Sequence, residues 1–328
     1  MNVNHLPLIT IAIPTYNRAG GYLRQAIECA LGQTYYNIEV FVSDNCSTDN
    51  TEEVIKGFTD QRLRYFRHRE NIGANNNFNY CLNQARGDYF LLFHDDDLID
   101  KDFLEVCMSA AGYRRDAGII RTGTRIIDEN GKVLREKPNQ VNGLNTEDFF
   151  RGWFSGRTEL YLCSTLFNTN YLREAGGFSS IRNLFQDAVA EVLLAARYGR
   201  IDVYDVKASF RKHSGEATFA AKVGDWCDDS LYLLDVICSE LPQDRVEAIQ
   251  ILRREGMRFF SRLNYNRAVS VRPILGRYTA FFTVIKKFHF RHSPSFRHLL
   301  SLVFGKRAYG DLLKLKRKWY PSVSETNG

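Results

Sequence analysis

No stretch of this 328-residue chain approaches the roughly 18–20 consecutive apolar residues that span a bilayer. The longest candidates, residues 279–285 and 299–304, are far too short. Residues 1–7 lack the apolar core of a secretory signal. Both absences favour a cytoplasmic protein over a membrane-spanning or exported one. No Cys-x-x-Cys pair occurs, and the seven cysteines (Cys29, Cys46, Cys81, Cys107, Cys163, Cys227 and Cys238) are odd in number. That usage fits reduced core thiols rather than a disulfide framework. Internal repeats and low-complexity segments are also lacking. What remains is ordinary globular composition, 44% hydrophobic and 25% charged, enough for one large domain plus an extension. The net charge of +6 is unevenly spread. Residues 245–320 hold 18 Lys/Arg against 3 Asp/Glu, so the remainder is net acidic.

Four apolar runs, residues 8–13, 38–43, 63–67 and 88–93, read as strands. Helical patterns separate them, at 21–31, 50–58 and 75–84. In the first, Leu23, Ile27, Ala30 and Leu31 share one face; the second follows the capping side chains of Ser47, Thr48 and Asp49. Strands alternating with helices of about ten residues imply an α/β fold with a mostly parallel central sheet flanked by helices. A helix at 101–114 follows. Residues 118–128 and 132–135 flank Glu129-Asn130-Gly131, a hairpin turn. A strand at 160–168, an apolar helix at 187–198 and one or two strands within 201–211 complete this part. From about residue 224 only helical patterns occur, at 225–241, 245–264, 273–287 and, with breaks, 294–320. The expected organisation is a domain over 1–215, its halves meeting near 115, then a basic helical extension over 216–320 and a disordered tail over 321–328.

In an open parallel sheet, ligands bind at the carboxyl ends of the strands. Pro14-Thr15-Tyr16-Asn17-Arg18 ends the first strand and Asp44 ends the second. Thr15 and Asp44 offer hydrogen-bonding groups, Tyr16 a stacking surface and Arg18 a phosphate partner. Each segment alone is equally a turn-rich loop. His94-Asp95-Asp96-Asp97 is harder to explain as a loop. Three adjacent carboxylates repel one another unless a cation offsets the charge. A helix cap accounts for one or two of them. Mg²⁺ and Mn²⁺ take such oxygen ligands together with substrate phosphates.

These segments, with Asn71 and Gly73 before the third helix, resemble in order and spacing the family 2 glycosyltransferases of the GT-A fold. The likeness covers about residues 8–213 and extends to the bacterial O-antigen and surface-polysaccharide sugar transferases. It implies inverting sugar transfer from a nucleotide-diphospho-sugar to a saccharide or lipid-diphosphate-linked acceptor, assisted by Mn²⁺ or Mg²⁺. By the same resemblance Pro14, Thr15, Tyr16, Arg18, Asp44, Asn71 and Asp95 would line the nucleotide site, and Asp96 would hold the metal. His94 replaces the first Asp of the family's acidic motif. Gly176-Gly177-Phe178 followed by Gln186-Asp187 resembles the family's base segment, with Gln where relatives carry Glu, and makes Asp187 the general base. After the last strand, His213 stands where relatives have a histidine reaching the metal, and Arg211 or Lys212 would neutralise the leaving group.

The basic stretch over 291–320 carries interleaved aromatic and aliphatic residues and is read two ways: as a surface element on the inner face of the bacterial membrane, or as a helical lid on the catalytic domain. No nucleic-acid-binding module is recognisable. A metal-dependent nucleotidyltransferase would carry a glycine-rich loop after the first strand, which residues 14–18 lack. A non-catalytic saccharide- or membrane-binding protein of the same fold would have no use for Asp96 and Asp187.

Overall fold

The computed structural model describes residues 6–213, 221–289 and 294–304. Four parallel strands, β1 (Ile9–Thr15), β2 (Ile38–Asp44), β3 (Leu63–Arg67) and β4 (Tyr89–Leu92), lie in the order β3-β2-β1-β4. The crossovers are α1 (Leu23–Leu31), α2 (Thr51–Lys56) and α3 (Ala74–Gln84). β1, β2 and β4 are covered on both faces, so they read as apolar runs rather than as alternating ones. Ile9, Ile11, Val40, Val42 and Leu91 pack toward α1, while Ala12, Phe41, Phe90 and Leu92 face the opposite layer.

Beyond β4 come β5 (Leu98–Ile99), α4 (Phe103–Ala110), β6 (Ile119–Ile127), β7 (Val133–Lys137), α5 (Thr146–Phe154), β8 (Thr165–Asn168), α6 (Thr169–Glu174), α7 (Gln186–Tyr198) and β9 (Arg200–Arg211). β8 pairs antiparallel with β4 and β6, and β9 runs parallel to β6. The two-residue β5 pairs Leu98 with Ser209 and Ile99 with Ala208. This pairing draws the segment after β4 onto the end of β9. The hairpin turn forms where expected: the Asp128 carboxylate accepts from the amides of Asn130 and Lys132, both at 2.9 Å, and Gly131 takes φ +84°.

Residues 201–211, read as one or two strands, form part of one long strand, β9. Residues 146–154, for which no element was expected, form α5. Asn145 caps it by accepting from the Asp148 amide at 2.8 Å, and Phe149, Phe150, Trp153 and Phe154 are buried. A buried ion network ties the second half together. Arg121 on β6 lies 3.1 Å from Glu191 on α7 and 3.5 Å from Asp202 on β9. The guanidinium of Arg200 sits 4.3 Å over the Phe149 ring.

The C-terminal helices are α8 (Val223–Ser239), α9 (Val246–Ala268), α10 (Ile274–Lys287) and α11 (Phe296–Phe304). Leu233, Leu234, Leu252, Phe260, Phe281 and Val284 join one apolar cluster with α5 and α7. Among the described residues these helices therefore pack on the α/β domain. α10 nevertheless leaves Leu275 75% and Phe282 63% exposed. No helix of the described residues is long and apolar enough to cross a membrane. Residues 305–320 of the expected basic helix and the tail 321–328 lie outside the described residues.

Candidate active site

Parallel register brings the loop-bearing ends of β1, β2 and β4 to one edge. Thr15 pairs with Asp44, and the Asn45 amide donates to the Thr15 carbonyl at 2.9 Å. The Thr15 hydroxyl donates to the Asp95 carboxylate at 2.6 Å, so β1 and the acidic loop are joined directly. Arg18 stands over both acids, 3.5 Å from Asp95 and 4.0 Å from Asp96. Tyr16 is 44% exposed at the mouth, while Pro14 is buried within β1.

Two expected nucleotide residues are held by the protein itself. Asp44 is fully buried; it accepts from the Ser47 amide at 2.8 Å and the Tyr65 hydroxyl at 2.9 Å, with Arg67 at 3.7 Å. Asn71 accepts from the Asn45 side chain and the Gly73 amide, both at 2.9 Å. Asn45 in turn accepts from the Ile72 amide at 2.8 Å. These two asparagines fasten the loop after β3 to the end of β2.

The acidic loop carries the site's electrostatics. Burial, and then the neighbouring Asp96, push the Asp95 carboxyl up to about 7, against the pull of Thr15 and Arg18. The same two causes raise Asp97, which accepts from the Arg211 amide at 2.9 Å. Compressed carboxylates of this kind call for a cation. The donors suit one: His213 Nε2 lies 2.8 Å from Asp96 Oδ2, and ligand atoms of His94, Asp96 and Asp97 all lie within 4.8 Å of one another. His94 Nε2 is buried without a hydrogen-bond partner. Carboxylate oxygen combined with imidazole nitrogen fits Mn²⁺ and, with fewer nitrogens, Mg²⁺. Asp96 belongs to both groupings.

Arg211 has a different task from the one the sequence suggested. It is 3% exposed; its side chain donates to the Asp96 carbonyl at 2.7 Å and the Gln25 side chain at 3.0 Å. Its guanidinium also lies 4.2 Å over the Tyr22 ring, whose hydroxyl donates to the Glu129 carbonyl at 3.0 Å. Arg211 is thus a brace for the acidic loop, with little surface left for a leaving group. Lys212 is exposed, and Ser214 lies outside the described residues. Tyr22 has no local sequence signal; only the tertiary fold brings it to the β6–β7 turn and to Arg211.

Asp187 occupies the first turn of α7. Burial raises its carboxyl above the ordinary range, opposed by the Ala188 amide and by the field of His94. The Phe78 ring centroid lies 5.4 Å from that of His94 and 6.5 Å from that of Phe178. Phe178 is fixed by Asn79 on α3, which accepts from its amide and donates to its carbonyl, both at 2.9 Å. Gly177 takes φ +72°, and a Cβ there would meet Asn79 Oδ1 at 2.3 Å. Gly177→Ala is expected to destabilise the protein by about 1–3 kcal/mol through backbone strain. An unchanged midpoint in urea would show that the loop relaxes freely.

A mixed α/β sheet with an acidic loop after its central strand β4 is the architecture of the GT-A class of transferases. The sequence profile of glycosyl transferase family 2 matches residues 10–175. The chain belongs to glycosyl transferase family 2. It is 37% identical over 193 residues to an uncharacterized glycosyltransferase of Rickettsia felis, covering 56% of this chain and 30% of that one. It is 30% identical over 152 residues to the hyaluronan synthase of Pasteurella multocida, covering 46% of this chain and 15% of that one. The chain thus spans about a third or less of those relatives' length. Among solved structures, S. aureus TarS 1–349 in complex with UDP-GlcNAc matches with TM-score 0.65 and 17% identity, covering 98% of this chain and 93% of that one. The mannosyltransferase PcManGT from Pyrobaculum calidifontis, with GDP-Man and Mn²⁺, matches with TM-score 0.55 and 17% identity over 96% and 84%. At that identity the likeness is one of fold.

Proposed function

We propose that this chain is an inverting glycosyltransferase that moves a sugar from a nucleotide-diphospho-sugar to a saccharide or lipid-linked oligosaccharide acceptor. The observation that carries this reading is the crevice itself. Asp96 with His213 and the Thr15–Asp95–Arg18 cluster gather at the ends of the strands, and Asp187 in the first turn of α7 would face them. Asp187 takes the proton of the acceptor hydroxyl as that oxygen attacks the anomeric carbon. The bond from that carbon to the diphosphate oxygen breaks on the opposite side, which inverts the centre. When bound at Asp96 and His213, Mn²⁺ or Mg²⁺ offsets charge on the departing diphosphate. Arg18, half-buried above Asp95 and Asp96, is placed to hold a phosphate oxygen. Thr15 and Asp44 fix the nucleoside end through the loops they order.

Relatedness to a hyaluronan synthase and a chondroitin synthase supports a polymeric saccharide product, and O-antigen or capsule assembly is the proposed setting. The basic bias of residues 245–320 and the exposed Leu275 and Phe282 beside Arg272 and Lys286 support peripheral contact with the inner face of the membrane. Residues 1–215 would be the catalytic domain, with 216–320 as its extension. A thermal-shift screen of UDP-GlcNAc, GDP-mannose, a CDP-sugar and a dTDP-sugar tests the reading. One of them, at about 100 times its Kd, is expected to stabilise the protein by about 2.7 kcal/mol, and only with Mn²⁺ or Mg²⁺ present. No stabilisation by any of the four would overturn it.

A further inference from the structure

Every backbone amide at the start of a helix needs a partner, and α7 has no side-chain cap of its own: its N-cap residue is Phe185. One of those amides, that of Phe185, finds its partner 44 residues downstream, on a carboxylate that also gathers the loop leading into the helix. Asp229 on α8 is fully buried. Its Oδ2 accepts from the Ser180 hydroxyl at 2.6 Å, the Leu184 amide at 2.8 Å and the Phe185 amide at 3.0 Å. Its Oδ1 accepts from the Arg182 amide at 2.8 Å. No Lys, Arg or His nitrogen of the described residues pairs with it within 4.0 Å. A buried carboxylate without a cation is costly unless hydrogen bonds replace its water. Here three main-chain donors and one hydroxyl do so, wrapped around it by a loop in which Asn183 takes φ +53°.

Asn79 of the α/β domain holds the start of this loop at Phe178; among the described residues, the stretch from Ser180 to Phe185 makes its side-chain hydrogen bonds to α8. Its outer side is tied to α8 as well: Arg182 lies 3.3 Å from Asp228, which also pairs with Lys287 of α10. The Phe185 ring packs against Trp226 at 5.2 Å and Phe260 at 5.9 Å, and Arg267 lies 3.8 Å over Trp226. Two residues after Phe185 comes Asp187.

We infer that Asp229 is a positioning residue for sugar transfer: it caps α7 from the C-terminal helices and sets where the Asp187 carboxylate meets the acceptor. The inference rests on Asp187 being the base. It makes the C-terminal helices part of the catalytic apparatus rather than a separate attachment. The carboxylate is the right chemical group for the task. It accepts from several amides at once, and its charge favours the positive end of α7. An amide side chain presents one acceptor and would direct an N–H group at donors.

The test uses the full chain and the donor selected by the thermal-shift screen. Asp229→Asn is expected to lower kcat on the order of 100-fold through misplacement of the base. Binding of that donor's nucleoside diphosphate with Mn²⁺ should stay within about twofold, because the diphosphate end of the crevice does not touch the loop. Amide exchange at Arg182, Leu184 and Phe185 should quicken in the variant while exchange in β1 and β2 does not. Ser180→Ala removes one of the four bonds and is expected to lower kcat about 5–10-fold in a protein that folds normally. A lowered Tm with wild-type kcat well below the transition would reduce Asp229 to a stabilising residue and overturn the inference. Unchanged kcat in Ser180→Ala overturns it if Asp229→Asn does not fold. Asp187→Asn separates the two readings. If it turns over normally, the base assignment fails; if it is inactive while Asp229→Asn is normal, only this inference fails.

Discussion

Asp187→Asn is expected to abolish transfer, a loss of about 10²–10⁴-fold in kcat for removal of a general base, while leaving donor binding nearly intact. The geometry separates the two effects. Asp187 sits in the first turn of α7, and no hydrogen bond or ion pair of the described residues joins it to the Thr15–Asp95–Arg18 cluster assigned to the nucleotide. Asparagine keeps the shape but cannot take a proton. The wild-type pH profile carries a second signature. Burial raises the Asp187 carboxyl, with the Asp229 charge adding to it and the Ala188 amide and His94 opposing. A base works only when ionised. Activity is therefore expected to fall as pH is lowered through that raised value, with the acid limb of kcat/KM above the ordinary carboxylate range near pH 4. Wild-type turnover in Asp187→Asn would remove the residue from the chemistry.

Asp96→Ala should abolish metal-dependent nucleotide binding, weakening Mn²⁺-linked association by more than about 100-fold. Asp96 is the acid in contact with His213 and a member of the group with His94 and Asp97. Its loss leaves no arrangement of two carboxylates and an imidazole around one point. His213→Ala should act in the same direction but more weakly, about 10–100-fold, since His94 Nε2 and Asp97 remain nearby. Calorimetry with UDP, GDP, CDP and dTDP, each with and without Mn²⁺, reads both variants. Binding that ignores the metal in wild type, or metal-dependent binding that survives Asp96→Ala, would sink this assignment.

The first half of the fold was legible because its physics is local. Strands buried on both faces must be apolar throughout, so β1, β2 and β4 stood out, and their boundaries were right to within two or three residues. The turn residues Glu129-Asn130-Gly131 likewise announced the β6–β7 hairpin, where Gly131 takes a positive φ. α5 escaped notice although its signal was present: Asn145 before two acids, then Phe149, Phe150, Trp153 and Phe154 on one side. Nine residues rich in aromatics give a weak helical period, and aromatic side chains are poor helix formers.

The candidate site divides in the same way. Asp95, Asp96 and Asp97 are adjacent in the chain, so their mutual repulsion could be read without any structure. Thr15 and Asp44 followed from the rule that ligands gather at strand ends. Their partners could not be read, because each lies far off along the chain: Thr15 to Asp95 is 80 residues, Asp96 to His213 is 117 and Phe185 to Asp229 is 44. Asp44 shows the limit most plainly. As a residue type at a strand end it was expected to contact the nucleotide; that Ser47, Tyr65 and Arg67 also engage it could not be read from the chain.

The sequence by itself determined the parallel sheet, the acidic loop and the family, since apolar period, strand-end residues and motif order are properties of neighbours in the chain. Only the tertiary structure decided that Arg211 braces the acidic loop and that a buried aspartate on α8 caps the helix bearing Asp187. A buried charge takes its meaning from the donors around it, and those donors are assembled by folding.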